Sequence, residues 1–154
     1  MQAPDELKEL TALARQVGSD VALVQGGGGN CSLKDGDCLY VKASGVCFKD
    51  MQESGYATVD LPGFRQAFFE EIAIPKTRAQ HEEAMNTMLK RFTRSGARPS
   101  MEAAMHCFLP RLVFHTHAVP SNVLLCMKDG ERILQELFSD LHTAVVPYVS
   151  PGYA

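Results

Sequence analysis

Residues 31–41 read Cys-Ser-Leu-Lys-Asp-Gly-Asp-Cys-Leu-Tyr-Val, and this stretch decides the centre of the fold. An Asp-Gly pair stands between two runs that favour extended backbone, which predicts a β-hairpin with its turn at residues 35–37. On either side of this hairpin, the spacing of apolar residues predicts strands and helices that alternate irregularly. Such an order favours the α/β or α+β class.

The other predicted elements follow from apolar periodicity. Helices are predicted where apolar residues recur every three or four positions, at 5–17, 64–72, 80–93, 100–108, 121–127 and 131–141. Strands are predicted in short runs prone to extended backbone, at 21–24, 56–61, 112–117 and 144–149. Ser100 is predicted to cap the N-terminus of its helix.

Composition narrows the function classes. The chain has 154 residues and a net charge of −3, so nothing in its charge favours a nucleic-acid partner. It has no apolar run near the roughly 18–20 residues that span a bilayer, so no membrane partner is expected. The five cysteines are an odd number without a Cys-x-x-Cys pair, which argues against a disulfide framework and favours a cytoplasmic location.

The sharpest chemical feature is His115-Thr116-His117, at the end of an apolar run. On a strand, residues i and i+2 point to the same face, so both imidazoles can reach one metal ion. Histidine nitrogen is a common zinc ligand, and a catalytic zinc site needs three protein ligands and an open position. An isolated pair is also compatible with a structural role.

Glu102 and the glycine run Gly26–Asn30 each allow two interpretations. Glu102 lies in the first turn of a predicted helix, where a carboxylate either complements the helix dipole or acts as a base beside a metal. The glycine run is either an anion-binding nest or a tight turn, and it lacks the order of a P-loop.

Four further residues near these motifs allow more than one interpretation. The pair Ser44-Gly45 is again either a turn or an anion site. Lys42 beside it is either a phosphate partner or a solvated charge, of which the solvated charge is the default. His106 is interpreted as a hydrogen-bonded core histidine rather than a ligand.

Four segments occur in an order that resembles the class II aldolase/adducin family. They are Gly29-Asn30-Cys31-Ser32, Lys42-Ala43-Ser44-Gly45, Arg98-Pro99-Ser100-Met101-Glu102 and His115-Thr116-His117. The stretch 100–117 is similar to the aldolase part of rhamnulose-1-phosphate aldolase/dehydrogenase fusions. The resemblance implies a three-layer α/β/α sandwich with a largely antiparallel central sheet. Residues 1–154 would then be a single domain of this type that lacks its C-terminal part.

The resemblance also assigns roles to residues. His115 and His117 match two of the family's three zinc histidines, and Glu102 matches its catalytic acid/base. The expected partner is a small sugar or sugar phosphate, and the expected assembly is a homo-oligomer. Five residues match positions that bind the substrate phosphate: Gly29, Asn30, Ser44, Gly45 and Ser100.

Two departures from the family pattern affect the site. Met101 stands where family members often have a second serine. The family's third zinc histidine follows a Pro-Gly turn, whereas this sequence stops at Pro151-Gly152-Tyr153-Ala154. With two histidines alone, Zn²⁺ is expected to bind weakly or not at all, unless a water, a carboxylate such as Glu102 or a partner chain completes the shell.

The function that the resemblance implies is zinc-dependent retro-aldol cleavage of a sugar or sugar phosphate, such as a ketose 1-phosphate. The metal would polarise the ketose carbonyl, and Glu102 would move a proton at the reacting carbon. Two alternatives stay open: a sugar-phosphate epimerase or dehydratase, which would use the same residues, and a non-catalytic interaction module like adducin.

Overall fold

The structure, a computed structural model, describes residues 4–72, 74 and 77–146, with Ile72 described by its backbone alone. The strands of these residues are β1 Asn30–Asp35, β2 Cys38–Lys42, β3 Tyr56–Asp60, β4 Thr93–Ser95 and β5 Leu112–His115. The α-helices are α1 Glu6–Gly18, α2 Leu61–Ile72, α3 Arg78–Phe92, α4 Ala103–Phe108, α5 Val119–Leu125 and α6 Gly130–Leu137. Among the described helices, none has the length and apolarity to cross a membrane.

One antiparallel sheet organises these elements, with strand order β4-β3-β2-β1-β5. The predicted hairpin of β1 and β2 is confirmed, with Asp35 opposite Cys38. Gly36 in its turn has a φ of +52°, a backbone conformation that glycine adopts without steric cost.

Helices cover both faces of the sheet, which confirms the expected three-layer α/β/α sandwich. Strand alternation sends Cys31, Leu33 and Tyr40 to one face, where they pack with α1. It sends Leu39 and Val59 to the other face, where they pack with α2, α3 and α4. Each helical layer therefore buries its apolar side against one face of the sheet.

Local sequence signals explain where the longest helices lie. In α1, the residues spaced to face the sheet are buried: Leu7, Leu10, Thr11 and Ala14. The helix α3 begins with a capping box, in which the Thr77 hydroxyl accepts from the Gln80 N–H and the Gln80 side chain accepts from the Thr77 N–H.

The strand predicted at 21–24 is wrong, because the segment forms a turn. The Asp20 carbonyl accepts from the N–H groups of Leu23 and Val24, and its carboxylate accepts from the Ala22 N–H at 2.8 Å. An Asx-type turn of this kind competes with extended backbone. Of the strand predicted at 144–149, residues 144–146 are irregular and the rest lies outside the described residues.

The prediction of Ser100 as an N-cap is also wrong. The helix α4 begins at Ala103 with Glu102 at the N-cap position. The Ser100 carbonyl accepts from the Ala103 N–H at 3.0 Å, so Ser100 begins a turn that leads into the helix. The short strand β4 was not predicted, because its three residues are all polar and carry no periodic signal.

Candidate metal and acid–base site

Three potential ligands meet at one end of the sheet. One ligand atom from each of Glu102, His115 and His117 lies within 4.8 Å of the other two. The two imidazole centroids are 4.9 Å apart. The strand β5 ends at His115, so His117 reaches this point from the segment after the strand and not from the strand itself.

Strand pairing and loop contacts place the two histidines. His115 pairs with Asn30 across β1 and β5, which puts both side chains on the same face of the sheet. The His117 N–H donates to the Leu23 carbonyl at 3.0 Å, which holds the backbone after the strand. The site therefore forms where β1 begins and β5 ends.

The two carboxylate oxygens of Glu102 have different surroundings. Oε1 lies 3.4 Å from Nδ1 of His115. Oε2 accepts from the Asn30 amide at 3.0 Å and lies 3.4 Å from the Ser100 hydroxyl. The His115 imidazole and then the Asn30 amide lower the pKa of Glu102 to about 2 against the opposing effect of burial, so the carboxylate is ionised at neutral pH.

Three buried polar atoms around Glu102 lack hydrogen bonds within the described part of the chain. They are Asn30 Oδ1, His106 Nε2 and His115 Nδ1. Buried polar atoms are nearly always paired in folded proteins, so these three atoms are candidates for contacts with a bound ligand or water. His106 is fully buried with Nδ1 2.8 Å from the Ser32 hydroxyl, and burial lowers its pKa to about 4, so the imidazole is neutral.

The donor set of this cluster fits a divalent cation. Imidazole nitrogen and carboxylate oxygen are common zinc ligands, and three protein ligands leave a position open. The three residues can therefore hold a metal ion.

The residues expected at the phosphate site fall on three segments: the start of β1, the turn after β2 and the segment before α4. Gly29, Asn30 and Ser100 lie beside Glu102 and His115. Ser44 and Gly45 form an exposed turn in which Gly45 has a φ of +82°.

Hydrogen bonds join this turn to the segment before α4. The Ser44 N–H donates to the Arg98 carbonyl at 2.9 Å, and the Ser100 N–H donates to the Lys42 carbonyl at 3.4 Å. Since the Ser44 N–H is already paired, Ser44 offers its hydroxyl to a ligand.

The default interpretation of Lys42 as a solvated charge is wrong. Its side chain is buried, and Nζ donates to the carbonyls of Val46 at 2.7 Å and Gly27 at 3.3 Å. Burial lowers its pKa below the usual value. The alternation of β2 was the available signal, because Lys42 follows Cys38 and Tyr40 on the face that packs against α1.

Comparisons with known proteins add family information to this geometry. The family described as "Class II Aldolase and Adducin N-terminal domain" matches residues 8–153. The chain is 28% identical to "Uncharacterized oxidoreductase YuxG" of Bacillus subtilis (strain 168) over 163 residues. That match takes in 99% of this chain but 23% of the curated relative, so the chain spans less than a quarter of that protein.

Solved structures show the same fold. The N-terminal class II aldolase domain of a conserved protein from Thermoplasma acidophilum superposes with a TM-score of 0.81 at 27% identity, covering 99% of this chain and 73% of that one. L-fuculose 1-phosphate aldolase superposes with a TM-score of 0.55 at 22% identity, covering 82% of this chain and 50% of that one.

Proposed function

The chain belongs to the family of class II aldolases and adducin N-terminal domains, and from this premise we propose that it is a zinc-dependent aldehyde-lyase domain. Its substrate class is a sugar or sugar phosphate such as a ketose 1-phosphate. The observation that carries the proposal is the convergence of Glu102, His115 and His117, whose ligand atoms lie within 4.8 Å of one another. An adducin-like interaction module has no need for this arrangement.

In this proposal, His115 and His117 would hold Zn²⁺, with Glu102 beside them. The ion would supply Lewis-acid polarisation of the ketose carbonyl. Two histidine ligands would leave the remaining positions of the ion to water and to substrate oxygen.

Glu102 also moves the proton during cleavage. Its Oε2 is held by the Asn30 amide, while Oε1 faces the histidines. A carboxylate fixed by one oxygen keeps the other aimed at the reacting centre. There it takes the proton of the hydroxyl on one carbon of the C–C bond that breaks, and it returns a proton to the other carbon of that bond. Asn30 thus orients the base in addition to its proposed contact with substrate.

The substrate phosphate is proposed to lie between the three segments described above. The hydroxyls of Ser44 and Ser100 and the backbone at Gly29 and Gly45 would contact it, with Asn30 at the junction with Glu102. Positive φ at Gly29 and Gly45 lets the backbone turn without a side chain between the N–H groups and an anion.

The assembly is proposed to be a homo-oligomer of domains that each span residues 1–154. Large apolar side chains at one end of the sheet and on α5 support this, since Phe108, Leu112 and Val123 are exposed. A molar mass above that of the monomer, measured by light scattering of the purified chain, would support the homo-oligomer. The mass of a monomer at all concentrations would contradict it. The cytoplasmic location expected from the sequence stays a prediction.

The direct test is a cleavage assay with the purified chain. The protein is loaded with Zn²⁺ and given ketose 1-phosphates of five and six carbons, and release of dihydroxyacetone phosphate is followed by a coupled reduction. Metal-dependent release supports the proposal. Conversion of the sugar without cleavage supports the epimerase alternative, and a metal-loaded chain that changes none of these substrates contradicts the lyase.

A further inference from the structure

The glycine run packs directly against the backbone that carries the two histidines. The Val119 N–H donates to the Ala22 carbonyl at 2.8 Å, and the His117 N–H donates to that of Leu23. A Cβ at Gly29 would lie 3.0 Å from the His115 carbonyl oxygen. The segment before β1 therefore forms one wall of the histidine pair.

Gly28 is the point of closest approach between this wall and a histidine side chain. A Cβ at Gly28 would lie 2.7 Å from Nδ1 and 3.1 Å from Cε1 of His117, and 3.0 Å from the Gln25 carbonyl oxygen. The first distance is shorter than a non-bonded contact allows. The imidazole of His117 occupies its position only because residue 28 has no side chain.

Gly27, the preceding residue, has no such neighbour. A Cβ there would meet no atom within 4 Å beyond the adjacent residues, and Gly27 does not have a positive φ. The two glycines lie in one loop and differ in what faces them. Their substitution by alanine therefore separates a contact with His117 from a general effect on the loop.

The loop is anchored, so it has little freedom to move away from an added methyl group. Nζ of Lys42 donates to the Gly27 carbonyl at 3.3 Å, and the Gly28 N–H donates to the Gln25 carbonyl at 2.9 Å. Lys42 is 2% exposed, and Nζ lies 5.8 Å from the ring centroid of Phe48. Strain at residue 28 therefore falls on the His117 ring, which can rotate.

We propose that Gly28 is a positioning residue for His117: its missing side chain sets the place of the imidazole that serves as a metal ligand. This inference rests on the proposed function for the identity of His117 as a ligand. It gives the glycine run a second role, distinct from any contact with phosphate. Residues that orient a metal ligand typically change metal affinity by about 10- to 100-fold when altered.

The test compares Gly28→Ala with the matched control Gly27→Ala and the wild type. Cobalt(II) titration followed by visible absorption reports affinity and ligand geometry. We expect Gly28→Ala to bind about 10- to 100-fold more weakly with an altered spectrum. Gly27→Ala should match the wild type. Equal affinity and equal spectra for both variants would overturn the role of Gly28.

A second readout requires no metal. The imidazole carbon and proton resonances of His117, assigned by their loss in His117→Ala, should shift in Gly28→Ala and stay in place in Gly27→Ala. Failure of all three proteins to bind cobalt would overturn the metal site of the proposed function. The ring resonances would still decide whether Gly28 places the imidazole, and unchanged resonances would overturn that placement.

A double-mutant cycle covers the case in which Gly28→Ala folds poorly. If strain falls on the imidazole, Gly28→Ala lowers the thermal midpoint less in a His117→Ala background than in the wild type. Equal losses in both backgrounds would place the strain at the Gln25 carbonyl and overturn the proposal. The thermal midpoint requires neither metal nor activity.

Discussion

The two ends of α4 differ in how their polar groups are satisfied. At the C-terminal end, the Cys107 carbonyl accepts from Nε and Nη2 of Arg65 at 2.9 and 2.5 Å. Nζ of Lys34 donates to the carbonyls of Leu109 and Pro110 at 2.5 and 2.7 Å. Two cationic side chains thus donate hydrogen bonds to the carbonyls at the end of the helix where its dipole is negative.

At the N-terminal end, the same helix adjoins polar atoms without partners. Glu102 stands there as an ionised carboxylate, and buried atoms of Asn30 and His115 have no hydrogen bond within the described residues. Satisfied polar groups stabilise a scaffold, whereas unsatisfied ones are available to a ligand. One short helix therefore joins an anchored end to a reactive end.

The largest effect should come from neutralising the reactive end with Glu102→Gln. Because this removes the proposed base while keeping the shape of the side chain, we expect turnover to fall about 10²- to 10⁴-fold. The measurement is kcat for cleavage of a ketose 1-phosphate. Glu83→Gln, at an exposed position of α3, is the control and should keep wild-type kcat. Undiminished turnover by metal-loaded Glu102→Gln would remove Glu102 from the mechanism.

Acid should weaken the fold through His106, a buried histidine four residues after Glu102. Its pKa is lowered to about 4 by burial, so between pH 6.5 and 4 the unfolded chain binds a proton that the folded chain does not. This contribution to stability is present above pH 6.5 and is lost as pH falls towards 4, by roughly 3 kcal/mol for a shift of this size.

Urea unfolding at several pH values measures this loss. In His106→Asn, which retains a polar group opposite Ser32, the free energy of unfolding should change less over the same interval. The comparison is made between pH 6.5 and 5.5, above the ordinary pKa of 4.5 at which Glu102 of the unfolded chain takes up its proton. An identical pH dependence in the variant would show that another group is responsible.

Breaking the anchored end should reduce stability and leave the reactive end functional. Lys34→Met leaves the carbonyls of Leu109 and Pro110 without their donor, which should lower the free energy of unfolding by about 2 kcal/mol. Exposed Lys128 provides the control variant Lys128→Met, which should unfold like the wild type. Metal affinity is also measured in folded Lys34→Met. A loss as large as that of a variant without one of the ligands would contradict the distinction between the two ends.

The smallest effect is expected from Ser100→Ala at the entrance to α4. The hydroxyl is 3.4 Å from both Oε2 and the N–H of Glu102, which are long contacts, so turnover should fall only a few-fold. If Ser100 also contacts the phosphate, KM should rise for the phosphorylated sugar and stay constant for the free sugar. Steady-state kinetics on both sugars checks this, and equal changes in KM would count against a phosphate contact.

The sequence predicted the elements whose signals are local. The Asp-Gly turn indicated the β1–β2 hairpin, and apolar spacing indicated most helices. The strand predicted at 21–24 was wrong because the side chain and carbonyl of Asp20 accept hydrogen bonds from the backbone of the turn at residues 20–24, in place of strand pairing. The short strand β4 depends on its neighbour β3, which no local pattern of three residues can reveal.

For the site, residue types were predictable and their contacts were not. Glu102, His115 and His117 were expected to act together, and the structure places them together. The hydrogen bond from Asn30 to Glu102 joins residues 72 positions apart, and only the pairing of β1 with β5 makes it possible. The burial of Lys42 was likewise set by packing, since a charged residue at a strand end is solvated in most proteins.

The most direct test of the central claim is metal binding by calorimetric titration of Zn²⁺. It compares the wild type, the double variant His115→Ala/His117→Ala and a control in which His81 and His142, which are not members of the three-residue cluster, are both alanine. The account predicts binding of one ion per chain in the wild type and control, and its loss in the double variant. Equal binding by all three proteins, or none by the wild type, would contradict a metal site at Glu102, His115 and His117.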